Sequence, residues 1–256
     1  MINVLIFGAN GRMGKKVKAA LIGEKDMRAL CGVDMKEYFS DPEFPVYDSL
    51  AEATAKNGKP DVIIDFSSRL SLETILPYAE EFGVPAVLCA TGYTTEDDEK
   101  VKKASEKVAL FRSANMSVGV NVLIRLVKQA AAALEGFDIE IIEKHHNKKV
   151  DAPSGTANMI ARGIKSVLPE KYFIYGRNGI TGKRDKNEIG IHAVRGGNIV
   201  GDHEVIFAGE NEIITLSHSA SDRALFADGA VKAAKFISGK KSGLYDMNDM
   251  LSEAGV

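Results

Sequence analysis

The chain has no tryptophan and only two cysteines and five histidines in 256 residues. Cys31 and Cys89 each sit in an apolar run with no second cysteine or histidine at ligand spacing. That argues against a disulfide framework or a structural metal and suggests buried, reduced thiols of a cytoplasmic protein. Neither sign of charge is in excess: Lys+Arg 33 against Asp+Glu 35 gives −2, so no global positive field exists for a nucleic-acid backbone or an anionic membrane. Any basic site must be local. Long hydrophobic runs are missing too. The apolar stretch 118–127 is broken by Asn121 and Arg125, short of the roughly 20 apolar residues a membrane span needs. The start, Met1-Ile2-Asn3-Val4-Leu5-Ile6-Phe7, has no basic leader, so a secretory signal is not expected. What remains is 45% hydrophobic and 27% charged, the balance of a globular protein long enough for one large or two modest domains.

In the first half, short apolar runs alternate with helical patterns, as a parallel sheet with crossover helices requires. Strands are expected at 2–7, 29–33, 62–66, 86–90 and 108–111. Helices are expected at 12–22, 49–56, 71–82 and 96–107, with Ser71 and Thr95 as N-caps and Gly83 as a C-cap. Val62-Ile63-Ile64 has no polar alternation, which fits strands covered on both faces. From about Asn115 the pattern changes. A helix over 118–134 leads into 138–143, whose alternation reads as a strand with one wet face. Another helix is expected at 156–167. A Gly-rich polar stretch, 176–190, then precedes strands at 191–194, 199–207 and 212–217. Strands bunched in this way indicate an α+β unit on an open antiparallel or mixed sheet, whose exposed face can pair with other subunits. A helix over 224–237 is followed by a turn at 239–243 and a short tail. The fold class is α/β: a Rossmann-like doubly wound domain, 1–116 with 222–256, and a second α+β domain, 117–221, for substrate and oligomerisation.

Gly8-Ala9-Asn10-Gly11-Arg12-Met13-Gly14 follows the first strand and opens the first helix. Glycine suits a backbone that must approach a pyrophosphate, and the helix N-terminus offers unpaired N–H groups and partial positive charge. The spacing varies from the usual fingerprint because position 10 is Asn. An ordinary strand-to-helix turn is the bland alternative. Asp34 ends the second strand about 20 residues after the last glycine, where a carboxylate can accept from both ribose hydroxyls and so favours NADH. Arg12 and Lys36 lie near enough in sequence to offset repulsion of a 2′-phosphate, which leaves NADPH open. Two later strand ends, Asp65-Phe66-Ser67 and Ala90-Thr91-Gly92, are expected to face the same crevice.

Glu143-Lys144-His145-His146-Asn147-Lys148-Lys149-Val150-Asp151-Ala152-Pro153-Ser154-Gly155-Thr156 is the richest segment. Two histidines and three lysines crowd together in a chain of slightly negative charge, which calls for an anionic ligand. Ser154 or Thr156 would cap the next helix, with free N–H groups beside Gly155. Lys149, His146 and that helix end can grip carboxylates, leaving the second histidine as a proton donor near neutral pH. A solvated basic loop is the bland reading. Arg195 reads as a strand-end ion pair, and His192, His203 and His218 as structural.

At this point the sequence resembles the 4-hydroxy-tetrahydrodipicolinate reductase (dihydrodipicolinate reductase) family. The resemblance rests on the glycine motif at 8–14, Asp65-Phe66-Ser67, Asn115-Met116-Ser117-Val118-Gly119-Val120-Asn121 and the 145–156 block, together with the segments 194–203 and 238–247. It spans almost the whole chain. It implies reduction of a cyclic dicarboxylate by NADH or NADPH on the diaminopimelate route to lysine, with loss of water. His145 would be the acid/base and Lys149 a proton donor. His146, Lys149, Ser154, Gly155 and Thr156 would hold the substrate. Gly8, Ala9, Asn10, Gly11, Arg12, Met13, Asp34, Cys89, Ala90, Thr91, Ser113, Ala114, Asn115 and Met116 would hold the dinucleotide. The family further implies a homotetramer built through the second sheet, and domain closure over both ligands. Two departures stand out: Cys89-Ala90-Thr91-Gly92, where many members carry Gly-Thr-Thr-Gly, and Asp34-Met35, where some carry Glu-Arg. Two alternatives stay open, a related two-domain amino-acid dehydrogenase and a nucleotide-sensing regulator without catalysis.

Overall fold

A computed structural model describes residues 1–34 and 43–255; Met35 and Lys36, named above, lie outside them. In chain order the first elements are β1 (Ile2–Phe7), α1 (Arg12–Ile22), β2 (Met27–Val33), β3 (Val46–Tyr47), α2 (Leu50–Asn57) and β4 (Val62–Asp65). Then come α3 (Leu72–Phe82), β5 (Ala86–Leu88), α4 (Thr95–Ser105), β6 (Ala109–Arg112), α5 (Val118–Ala133), β7 (Asp138–His145) and α6 (Gly155–Val167). The chain finishes with β8 (Tyr172–Tyr175), β9 (Glu188–Arg195), β10 (Gly201–Ala208), β11 (Ile213–Ala220), α7 (Ala224–Ile237), β12 (Gly243–Tyr245) and α8 (Met247–Glu253). These elements make two compact units, Met1–Val118 with Ala224–Val256, and Gly119–Arg223.

The first unit is built on a seven-stranded sheet in the order β12-β6-β5-β4-β1-β2-β3, parallel throughout. Its strands bury both faces, so the two-residue period sorts side chains between two cores. Val4, Ile6, Val62, Ile64 and Phe111 face one core, with Val17 of α1 and Ala227, Ala230 and Ala234 of α7. Leu5, Ile63, Leu88 and Leu110 face the other, with Ile75 of α3 and Val101 of α4. Each such Leu or Ile contributes roughly 1.5–3 kcal/mol by leaving water. The strand order reverses at β1, whose neighbours are β2 and β4. Ligands of open α/β sheets bind beyond the strand ends at such a point.

Local chemistry fixes several ends differently from the sequence reading. Thr94, not Thr95, caps α4, accepting from the Asp97 N–H in a reciprocal capping box. Ser71 is no cap: it is already helical in a one-turn 3-10 segment, Arg69–Ser71, and its hydroxyl donates to Asp65. Gly83 closes α3 in the left-handed region as expected. The strands β3, β8 and β12 and the helix α8 extend the sequence reading. α8 carries its own signal, an Asp246 capping box with Asp249.

The second unit holds a five-stranded sheet, β11-β10-β7-β9-β8. It is mixed: β10 runs antiparallel to β7 and β11, while β9 runs parallel to β7 and β8. One face packs on α5 and α6 through Ile139, Ile141, Val205 and Phe207 against Leu123, Val127, Ile160 and Ile164. Along β7, burial alternates strictly. The inward face therefore runs Ile139, Ile141, Glu143, His145, apolar core first and ionisable site last.

Candidate active site

In the first unit the turn from β1 to α1 has glycine where nothing else fits. Gly8 has φ +81, and a Cβ there would lie 3.0 Å from the Ser67 backbone beyond β4. A Cβ on Gly14 would lie 2.3 Å from the Gly8 carbonyl oxygen. Gly11 caps α1 without a side chain to satisfy the first-turn N–H groups, which leaves them for an anion. Asp34, just past β2, accepts the Asn10 N–H at 2.8 Å, so its carboxylate lies against the glycine loop. The backbone approach, the open helix end and the acidic group at the next strand end together fit a dinucleotide.

The other expected cofactor residues divide. Arg12, Thr91 and Ala114 are exposed, and Met13 and Ser113 are half-buried. Ala9, Cys89 and Ala90 are buried at 5%, 6% and 4% exposure. Asn115 ties its own loop, its side-chain oxygen accepting from Ser117 N–H while its carbonyl accepts from the Ser113 hydroxyl. The Met116 side chain belongs to the apolar core. Sequence reasoning placed Asp65 at this crevice and assigned it no partners. It is fully buried and accepts from the Ser67 N–H at 2.9 Å, the Ser67 hydroxyl at 2.5 Å and the Ser71 hydroxyl at 2.6 Å. Burial still pushes its carboxyl above the usual range. These bonds draw the post-β4 loop against Gly8.

In the second unit, three adjacent strands bring ionisable groups to one face. Glu143 opposes His203 across β7 and β10, and His145 opposes Arg195 across β7 and β9. Glu143 is fully buried. Arg195 grips it with its two terminal guanidinium nitrogens at 2.8 and 2.7 Å. The Ser154 N–H donates to it at 2.9 Å, and His145 Nδ1 lies 2.6 Å away. Burial alone would raise the Glu143 carboxyl, but Arg195, His145 and Ser154 together hold it below the usual range. His203 packs edge-on to His145 with ring centroids 5.2 Å apart. Burial, then the neighbouring His145, push His203 down to about 4.

The loop from His145 to α6 carries the remaining candidates. Lys149 rests on Asp151 at 2.8 Å. Half-buried His146 has Nε2 3.3 Å from an Arg223 nitrogen, and its Nδ1 is buried without a hydrogen-bond partner among the described residues. Ser154 caps α6, accepting from Ala157 N–H, and its hydroxyl also meets His203 at 3.1 Å. At 2% exposure, both its polar groups are engaged within the protein. Gly155 and Thr156 are the more open positions of that helix end, and a Cβ on Gly155 would meet open space. Glu143 was given no role in the sequence and His203 only a structural one, because an isolated Glu or His carries no signal until strand register sets its partner. Arg195 forms the strand-end ion pair expected of it. Among the described residues no cluster of His, Cys, Asp and Glu could hold a metal, and no helix is long and apolar enough to cross a membrane.

Comparison with known proteins covers nearly the whole chain. The family described as "Dihydrodipicolinate reductase, N-terminus" matches residues 2–116, and "Dihydrodipicolinate reductase, C-terminus" matches 119–251. A 4-hydroxy-tetrahydrodipicolinate reductase of Caldanaerobacter subterraneus subsp. tengcongensis is 52% identical over 99% of both chains. One of Clostridium tetani is 46% identical over 98% of both. Among solved structures, dipicolinate-bound dihydrodipicolinate reductase from Paenisporosarcina sp. TG-14 superposes with a TM-score of 0.83 at 25% identity, covering 97% of this chain and 99% of that one.

Proposed function

The chain belongs to the dihydrodipicolinate reductase family, and on that premise we propose that it reduces 4-hydroxy-tetrahydrodipicolinate to tetrahydrodipicolinate with a reduced nicotinamide dinucleotide. The observation that carries the mechanism is the Arg195–Glu143–His145 chain, its carboxylate fully buried, beside a basic loop and a capped helix end. Elimination of the 4-hydroxyl as water leaves a C=C–C=N unit, to which one hydride and one proton must be added. The dinucleotide supplies the hydride when bound. The chain supplies the rest.

Gly155 N–H and the Thr156 side chain and N–H dock one carboxylate at the α6 N-terminus, helped by its partial positive charge. Ser154 holds that helix end from behind. Lys149 exchanges Asp151 for a substrate carboxylate and carries a proton at Nζ, and His146 closes the cradle. His145 delivers or holds a proton at Nε2, and a positioned acid of this kind contributes about 10²-fold to 10⁴-fold. In the first unit Gly8, Gly11 and the first turn of α1 hold the pyrophosphate, and Asp34 accepts the adenosine ribose hydroxyls, favouring NADH. The resemblance further supports a homotetramer through the open face of the second sheet, where Ile213 is 68% exposed, and a cytoplasmic setting, with both cysteines free.

The test is an assay of nucleotide oxidation with the cyclic substrate generated in situ. The wild-type chain is expected to turn over, and His145→Gln to lose about 10²-fold or more in kcat with unchanged dinucleotide affinity. Normal turnover in that variant would remove His145 from the mechanism. A nucleotide-sensing regulator would bind the dinucleotide and oxidise none of it.

A further inference from the structure

We infer that Glu143 is a positioning residue for the reduction: it fixes the His145 ring and ties that ring to the helix end that receives the substrate carboxylate. The inference rests on the proposed role of His145 and adds a group that acts through it.

A strand places residues two apart on one face, so Glu143 and His145 point together from β7 and no loop has to bring them into register. An ionised carboxylate can only accept hydrogen bonds. Facing His145 Nδ1 at 2.6 Å, Glu143 therefore obliges Nδ1 to carry hydrogen. The other ring nitrogen, Nε2, is then the one position where a proton comes and goes. Nε2 lies close to β10, where a Cβ on Gly201 would stand 3.0 Å from it; glycine at 201 leaves this side of the ring clear.

The carboxylate is itself immobilised. Arg195 from β9 engages both its oxygens and also donates to the Asp151 carbonyl at 2.8 Å. The oxygen shared with Arg195 Nη2 also accepts the Ser154 N–H at the α6 cap. One buried acid thus joins the proton-carrying ring, the basic loop and the docking helix. Burying such a pair seldom stabilises a fold beyond what apolar residues of similar size would achieve, so stability is a weak reason for its presence. The ionisable groups facing His145 are Glu143 on its own strand, Arg195 on β9 and His203 on β10. His203 stays neutral at the reaction pH and adds no second charge.

Glu143→Gln keeps an oxygen for the Ser154 N–H and presents an amide to the ring. Expected are a kcat loss of about 10²-fold, little change in dinucleotide binding, and a kcat–pH profile displaced to lower pH because the imidazolium has lost its counter-charge. Nitrogen-15 NMR should show His145 leaving the Nδ1–H tautomer. Adding His145→Gln to Glu143→Gln should cost nothing beyond His145→Gln alone. Unchanged tautomer and pH profile in Glu143→Gln, or losses that multiply in the double variant, would overturn the inference. If Glu143→Gln does not fold, Arg195→Lys keeps the charge but loses the two-pronged grip, and a smaller displacement in the same direction is expected. Full activity in His145→Gln would refute the proposed mechanism instead, with the tautomer measurement still deciding whether Glu143 orders the ring.

Discussion

At position 34 a single carboxylate holds the glycine loop and is proposed to receive the ligand as well. One of its oxygens accepts the Asn10 N–H, so truncation loosens the glycine loop as well as removing a ribose acceptor. Asp34→Ala is expected to weaken both dinucleotides, and NADH more than NADPH. The kcat/KM ratio for the two cofactors checks this, and an unshifted ratio would reject the ribose role. His203 gives a pH prediction. Its pKa falls from 6.5 to about 4 on folding, so the unfolded chain binds the proton at higher pH than the folded one. Its contribution is full above pH 6.5 and is lost as pH falls toward 4, about 3 kcal/mol in all. Urea unfolding of the wild type and His203→Gln at several pH values should show the variant lacking that part of the slope.

Among elements, the β1–α1 joint tolerates least. Gly14→Ala forces the Gly8 carbonyl or the helix to move, since its Cβ would sit 2.3 Å from that oxygen. A dinucleotide Kd at least about tenfold weaker is expected by calorimetry, because displaced N–H groups no longer match the pyrophosphate. At α6, Ser154→Ala removes the cap and the hydroxyl partner of His203. It should cost about 1–2 kcal/mol in denaturant unfolding and raise the KM of the dicarboxylate. The helices α1 and α7 were legible to their ends because their apolar spacing is regular and Gly11 and Gly23 bracket α1. The ends at Ser71 and Thr95 were not. Either of two adjacent threonines can cap α4, and only the Asp97 pairing chooses Thr94. Ser71 is drawn inward by Asp65, a contact six residues apart that no local pattern announces.

For the whole molecule, each unit has its own core, and each proposed ligand belongs to one unit. Hydrogen exchange should reflect this. Reduced dinucleotide is expected to protect amides around 8–14, and dipicolinate those of 145–156, each ligand adding roughly 2.7 kcal/mol at 100 times its Kd. The sequence alone determined the doubly wound pattern, the glycine joint and the basic block, because these are written in neighbouring residues: apolar period, glycine spacing and local charge. Tertiary structure alone decided that Glu143, Arg195, Ser154 and His203 surround His145. Those residues lie up to 60 positions apart; Glu143, Arg195 and His203 meet because β10, β7 and β9 pair in one register, where slipping a strand by a single residue would turn its site residue to the opposite face, and Ser154 joins them from the α6 cap through the Glu143 carboxylate.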